Sequence, residues 1–186
     1  MPRNSPLYLL AGQPGARLAL GERAFLGHIN LRGAGADSGF LDAVCSAVGV
    51  APPLAPNTVA CAGAVTIYWL GPDEWQVQAP PEQCAALLAQ LRAALAGRHA
   101  AVTDVSDAHT VIVLDDPRAD ALLSRGCPLD FHPAVFPVGS CAQSVFGKTG
   151  VLLLREAPQR FALVVRRSFA AYLYHALQEA AGVAGE

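Results

Sequence analysis

Two cysteines and a histidine lie close together in the segment RGCPLDFHPAVFPVGSC, residues 125–141. Thiolate and imidazole are the usual ligands of structural zinc, but such a site needs four ligands, with close pairs about two to four residues apart. Here four residues separate Cys127 from His132 and eight separate His132 from Cys141, and Asp130 is the only further candidate nearby. The spacing therefore argues against a metal site.

Cys127 is also a poor candidate for a nucleophile. A reactive thiol needs a neighbouring histidine or a helix N-terminus to favour the thiolate. Cys127 instead follows Gly126, which we expect to cap the C-terminus of a helix, where the dipole disfavours a thiolate. Cys45, Cys61 and Cys84 lie on predicted helix faces or in an apolar loop, where a thiol acts as a small apolar side chain. We therefore predict no catalytic cysteine.

Two other clusters could carry chemistry. Ser106, Asp107 and His109 adjoin in SDAHT, but hydrolase triads draw on separate elements, because neighbours on one strand cannot all point at one atom. Arg166 and Arg167 precede a predicted helix N-terminus, an arrangement that can bind an anion, with a solvated strand end as the alternative. The sequence contains no dinucleotide-binding glycine motif, P-loop or HExxH motif.

The composition points to an apolar surface that needs a partner. Apolar residues make up 53% of the 186 residues and charged ones 15%, with a formal net charge of −2. Scattered basic residues do not suggest a nucleic acid or an anionic membrane as ligand. Prolines interrupt the longest uncharged run, residues 43–72, so we expect no membrane-spanning helix. Five irregularly spaced cysteines and the lack of a secretory signal indicate a cytoplasmic protein.

Hydrophobic periodicity predicts the same unit twice. The first half has the predicted order βαββαβ. Its elements are a strand over 24–31, a helix over 38–48, the hairpin VTIYWL and WQVQA, a helix opened by Pro80-Pro81-Glu82, and the strand HAAVTDVS. This order is that of the ferredoxin-like unit. The predicted fold class is therefore α+β, with two ferredoxin-like βαββαβ-type halves packed together.

The second half begins with the strand HTVIVL and a helix that Asp116 caps, followed after the loop by the strands CAQSVFG, VLLLRE and RFALVVR. Ser168 is expected to cap the last helix. Its predicted buried face comprises Phe169, Tyr172, Leu173, Ala176 and Leu177. We expect halves at 22–106 and 107–184, an N-terminal extension at 1–21, and a closing strand for the second half from residues 7–20, in particular LYLL.

Four blocks in register, WLGPDEWQVQAP, AVTDVSDAHTVIVL, GCPLDFHPAVFPVGSCAQS and VVRRSFAAYL, resemble the gamma subunit family of heterotetrameric sarcosine oxidase. The resemblance covers residues 25–177. It implies the fold of the aminomethyltransferase-like folate-binding domains, which include the glycine-cleavage T-protein. It also implies a complex that oxidises sarcosine to glycine and hydrogen peroxide and passes a one-carbon unit to tetrahydrofolate.

The resemblance further implies that this chain is non-catalytic and binds no cofactor itself. FAD, FMN, NAD and zinc would be held by the other subunits, and the partners would be the alpha, beta and delta subunits. Two other functions remain open, namely a stand-alone folate-dependent one-carbon transferase and a free-standing ferredoxin-like binding module.

The loop at 125–141 is predicted to form an interface. Its prolines limit the entropy lost on docking, and its apolar side chains suit a partner surface or the chain's own core. We favour the partner for at least one of the two phenylalanines. The predicted interface residues are Cys127, Leu129, Asp130, Phe131, His132, Phe136, Arg166 and Arg167.

Overall fold

A computed structural model describes residues 4–10, 18 and 20–182. These residues form two compact units. The continuous unit is Phe25–Ser106, and the split unit combines the described residues of 1–24 with those of 107–186. Each unit contains a five-stranded antiparallel sheet. Within the described part of the chain, no helix is both long and apolar enough to cross a membrane.

The continuous unit has its two helices on one face of its sheet. The first strand of the chain, β1 (Leu20–Arg23), belongs to the split unit. The elements of the continuous unit are β2 (Gly27–Arg32), α1 (Ser38–Val48), β3 (Val59–Ala62), β4 (Val65–Gly71), β5 (Glu74–Ala79), α2 (Pro81–Ala94) and β6 (Ala101–Asp104). The sheet order is β3-β4-β5-β2-β6. Asp37 begins α1 by accepting the Gly39 N–H at 2.9 Å, which satisfies one of the free amides of the first turn. Trp75 is fully buried and lies 5.5 Å from the Phe40 ring.

The split unit repeats this arrangement. Its elements are β1, β7 (His109–Asp115), α3 (Ala119–Leu123), β8 (Cys141–Phe146), β9 (Thr149–Ala157), β10 (Arg160–Arg166) and α4 (Ala170–Gly182), and a 3-10 turn at Arg167–Phe169 precedes α4. The sheet order β1-β7-β10-β9-β8 matches that of the continuous unit, read from its opposite edge. The expected α+β class with two ferredoxin-like halves is confirmed.

The N-terminal part of the chain supplies the edge strand of the split unit, at a different place from LYLL. Leu20–Arg23 pairs antiparallel with β7. Residues 7–10 form a turn instead, with the Leu10 N–H bonded to the Leu7 carbonyl at 2.8 Å. The expectation that LYLL is a strand is therefore wrong, and the rest of the proposed 7–20 segment lies outside the described residues except for Leu18 and Leu20.

The entry to α3 also differs from the prediction. The helix begins at Ala119 rather than directly after Asp116, whose carboxylate accepts the Arg118 N–H at 2.8 Å before the helix begins. The side-chain hydrogen bond from Arg118 lowers the pKa of Asp116 below its ordinary value. Because this pKa is depressed on folding, the contribution to stability is present at neutral pH and is lost as the pH falls through the folded pKa.

Gly126, at the end of α3, is required by a close contact. A Cβ at this position would lie 2.7 Å from the Phe146 ring, which is buried in the core of the split unit. We expect Gly126→Ala to lower the free energy of unfolding by about 1–3 kcal/mol, as overpacking of a rigid ring does. Denaturant unfolding of this variant beside Gly150→Ala measures the effect.

Gly150 is the matched control because nothing lies within 4 Å of its added Cβ. Equal stabilities of the two variants would show that the Phe146 ring moves aside at little cost.

Candidate functional site

The loop at residues 127–140 joins α3 to β8 and carries most of the residues selected from the sequence. It leaves α3 with the Cys127 N–H donating to the Leu123 carbonyl at 2.9 Å. Further along, the N–H groups of Val135 and Phe136 both donate to the His132 carbonyl, at 2.8 and 2.9 Å. The loop is thus folded on itself by its own backbone.

The two phenylalanines of the loop lie in the core of the split unit. Phe131 is 2% exposed and Phe136 is 6% exposed. Their ring centroids are 5.8 Å apart in an edge-to-face arrangement, and each also contacts the ring of Phe161 on β10, at 5.7 and 6.4 Å. Edge-to-face pairs stabilise a core beyond the area they bury. Both rings thus cover the chain's own core, and the expectation that at least one of them is exposed to a partner is wrong.

Arg155, at the end of β9, holds the loop against the core. Its side chain is buried, with 1% exposure. Nη1 donates to the carbonyls of Phe131 and Phe136, at 2.9 and 2.8 Å. Nη2 donates to both carboxylate oxygens of Asp120 at 2.6 Å and to the Pro158 carbonyl at 2.8 Å. One guanidinium therefore ties together α3, the loop and the β9–β10 turn.

The surroundings of Arg155 explain how a charge is accommodated there. Buried charges in proteins are paired or fully hydrogen-bonded. The Asp120 carboxylate, which is partly open to solvent, balances the positive charge of Arg155. The guanidinium carbon also lies 4.9 Å from the centre of the Phe161 ring, a favourable cation–π distance. Its Nε is left without an acceptor among the described residues. The Arg155 guanidinium has a structural role, since its other two nitrogens donate hydrogen bonds to groups of this chain.

The sequence gives little indication of Arg155. It ends the apolar run VLLLRE, where a basic residue is normally taken as the point at which a strand reaches solvent. The available signal is the period of two along β9, which places residues 151, 153 and 155 on the same face. Val151 and Leu153 belong to the core. Since the residues on both faces of this strand are apolar, the sequence does not show which face is directed to the core.

The other predicted interface residues are divided between core and surface. Cys127 is buried and its thiol lies 3.4 Å from the Ser144 hydroxyl oxygen, whereas Leu129 is partly buried against the core. Asp130 and His132 are exposed and are joined by a 2.8 Å hydrogen bond from the His132 N–H to the Asp130 carboxylate. The predicted set is therefore not a single surface.

The two arginines before α4 also differ from each other. Arg166 is exposed and ends β10 opposite His109, while Arg167 donates to the Asn4 carbonyl at 3.2 Å.

The surface of the loop at 127–140 is apolar at Val135 and Val138, which are 62% and 53% exposed.

The thiols and imidazoles do not converge. Cys127 and Cys141 are buried and His132 is exposed, with its Nδ1 accepting the Ala134 N–H at 3.2 Å. Within residues 4–10, 18 and 20–182, no three His, Cys, Asp or Glu side chains are grouped so that they could hold a metal ion.

The continuous unit contains a buried polar row that the sequence did not predict. Gln76 and Gln78 alternate with Trp75 and Val77 along β5, and both are buried. Tyr68 donates its hydroxyl hydrogen to Gln78 Oε1 at 3.1 Å. The Gln76 amide nitrogen lies 2.8 Å from Nδ1 of buried His28, and because an amide nitrogen only donates, this ring nitrogen is the acceptor. These bonds offset the cost of burying the row.

Comparisons with known proteins agree on one family. Residues 32–183 match the sequence model of the family described as sarcosine oxidase, gamma subunit family. The chain is 34% identical to the sarcosine oxidase subunit gamma of Corynebacterium sp. strain P-1, over 96% of this chain and 89% of that protein. It is 32% identical to the subunit gamma of Arthrobacter sp., with the same coverage of both chains.

Solved structures give the same result for the fold. The heterotetrameric sarcosine oxidase of Corynebacterium sp. U-96 in complex with pyrrole 2-carboxylate contains a chain that matches with a TM-score of 0.88 and 32% identity, over 97% of this chain and 95% of that one. Aminomethyltransferase T of Bartonella henselae matches with a TM-score of 0.70 and 15% identity, over 94% of this chain and 56% of that one, and shares the fold. The protein described here therefore belongs to the sarcosine oxidase gamma subunit family.

Proposed function

We propose that this chain is the gamma subunit of a cytoplasmic heterotetrameric sarcosine oxidase and assembles with alpha, beta and delta subunits. The observation that carries the proposal is the match to a chain of such a complex over nearly the full length of both, with a TM-score of 0.88. The assembled enzyme would convert sarcosine to glycine and hydrogen peroxide and pass the one-carbon unit to tetrahydrofolate.

In this proposal the chain is a structural subunit, and FAD, FMN, NAD and zinc are held by the other subunits. The environment of its buried charge supports this role. Arg155 directs four of its hydrogen bonds at Asp120 and the carbonyls of Phe131 and Phe136, so the group fixes the loop. A catalytic cation would instead be directed at a site that a substrate can reach.

The loop at 127–140 is proposed to contact a partner subunit through its exposed residues. Val135 and Val138 supply apolar area, and Asp130 and His132 supply polar groups beside it. An apolar centre with a polar rim is typical of subunit interfaces. Because Arg155 already holds the loop in place, little conformational entropy would be lost on association.

Co-expression tests the assignment. The chain is expressed with an affinity tag together with the three candidate partner subunits, and the eluate is examined for flavin absorbance and subunit content. We expect the flavin-bearing subunit to elute with this chain. Elution of the tagged chain alone, while the other subunits assemble without it, would refute the assignment.

The fold shared with aminomethyltransferase T gives a second candidate, a stand-alone folate-dependent one-carbon transferase. Titration of the isolated chain with tetrahydrofolate in a calorimeter distinguishes the two, because a stand-alone transferase must bind this carrier itself. A free-standing ferredoxin-like binding module is the remaining alternative, and it would neither bind tetrahydrofolate nor elute with the oxidase subunits.

A further inference from the structure

Three connections of the continuous unit meet around one pocket. The end of β2, the β4–β5 turn and the segment between α2 and β6 surround a space of about 440 Å³, a volume within the range of small-molecule sites. The side chains that line it are those of Arg32, Ala34, Asp73, His99, Ala100 and Ala101. The lining thus combines a guanidinium, an imidazole and a carboxylate with three alanines.

Two close contacts at glycines fix one wall of the pocket. The Gly33 N–H donates to the Asp73 carbonyl at 3.1 Å, which joins the β2–α1 loop to the β4–β5 turn. A Cβ on Gly33 would overlap the Phe40 ring, and one on Gly35 would lie 2.7 Å from the Pro72 carbonyl oxygen. A wall held by such contacts needs little rearrangement before a ligand binds, so little conformational entropy would be lost.

The guanidinium of Arg32 is oriented by its neighbours on the sheet. Arg32 on β2 lies opposite Glu74 on β5, and its Nη2 is 2.7 Å from Glu74 Oε2. The other carboxylate oxygen of Glu74 accepts a hydrogen bond from the Asn30 amide at 2.8 Å. Supporting contacts of this kind hold a binding group in one orientation. The Nε and Nη1 of Arg32 donate to no described residue and are available to a ligand.

The other two polar groups of the pocket are also available. Asp73 and His99 are exposed. Neither side chain forms a hydrogen bond or an ion pair with any other residue in the described part of the chain. The pocket therefore presents one carboxylate without a counter-charge together with the hydrogen-bond donors of Arg32 and His99.

This combination favours a ligand that carries both charges. A simple carboxylate would be attracted by Arg32 but repelled by Asp73, and a simple amine would meet the reverse. A molecule with an ammonium and a carboxylate satisfies both residues, and a carboxylate also matches the planar geometry of a guanidinium. The three alanines leave space for a short side chain. These are the properties of a small amino acid.

We propose that this pocket binds a small zwitterionic amino acid, with its carboxylate beside Arg32 and His99 and its ammonium beside Asp73. The proposal goes beyond the proposed function, in which the chain is a structural subunit. It takes from that function only the choice of probes, because sarcosine and glycine both belong to this class. An amino acid bound here would stabilise the folded subunit as its concentration rises.

The full chain, isotope-labelled for NMR, is titrated with glycine and with sarcosine to test the proposal. We expect saturable shifts of the amide signals of Gly33, Ala100 and Ala101. Acetate and methylamine, which carry one charge each, should bind at least about tenfold more weakly, as loss of one charged hydrogen bond predicts. No saturable shift with either amino acid, or equally strong binding of acetate, would overturn the proposal.

Two variants locate the binding site. Arg32→Gln and Asp73→Asn should each weaken glycine binding at least about tenfold. Arg118→Gln is the matched control, because Arg118 is also paired with one acid and is 50% exposed against 53% for Arg32, but lies in the split unit. It should bind glycine as the wild type does, and melting temperatures check that all three variants fold.

Unchanged glycine binding by both pocket variants would also overturn the proposal. Binding to the isolated chain and co-elution with partner subunits are measured separately. A chain that elutes with its partners but binds no amino acid would leave the proposed function intact, and a chain that binds glycine but does not assemble would leave the pocket proposal intact.

Discussion

The Arg155→Met variant is expected to melt on the order of 10 °C below the wild type. Each buried carbonyl left without its donor costs about 1–3 kcal/mol, and about 1 kcal/mol shifts the melting temperature of a protein of this size by roughly 2–4 °C. Methionine leaves the carbonyls of Phe131 and Phe136, now bonded to Nη1, without their donor. Thermal unfolding followed by circular dichroism measures the change.

Arg160→Met is the matched control. Arg160 also carries ion pairs, to Asp115 and Glu156, but its side chain is 43% exposed. Exposed pairs contribute at most about 1 kcal/mol, so this variant should melt within a few degrees of the wild type. Similar melting temperatures for the two variants would show that Arg155 does not hold the loop.

The double variant Phe131→Ser, Phe136→Ser is expected to be strongly destabilised. Truncation of a buried phenylalanine costs about 3–5 kcal/mol, and both rings contact each other and Phe161. The two losses are not additive, because the rings share these contacts. We expect the isolated subunit to lose its cooperative melting transition or to melt far below the wild type.

A second double variant in the same loop, Val135→Ser, Val138→Ser, separates core from interface. Both side chains are more than half exposed, and surface substitutions change stability by only about 0.5 kcal/mol. Its melting temperature should therefore match the wild type while its association with the partner subunits is reduced. A stable Phe131→Ser, Phe136→Ser subunit that fails to associate would restore the interface role for the aromatic rings.

Much of the fold could be predicted because each element has a local cause. The alternation in WQVQA and the turn before it determine the hairpin of β4 and β5, and Pro81 and Gly49 mark where α2 begins and α1 ends. These signals depend only on neighbouring residues. The position of β1 beside β7 depends on residues about ninety apart, and no local pattern specifies that pairing.

The candidate site could be predicted less well, because burial there depends on tertiary contacts. Phe131 and Phe136 lie in a loop with no periodicity, so nothing in the sequence could correct the preference for a partner contact over burial in the core. Arg155 reverses the usual rule that charges are exposed. Helix α4 is apolar on two sides, and the pattern alone could not show that Tyr174 is buried while Tyr172 is 38% exposed.

The most direct test of the assignment is the mass of the complex when the tag is on the flavin-bearing subunit and this chain is untagged. We predict that native mass spectrometry finds one copy of this 19.3 kDa chain in an assembly of four different subunits, and that the assembly forms hydrogen peroxide from sarcosine. An active assembly of the other subunits that never contains this chain, even when the chain is in excess, would contradict its role as the gamma subunit.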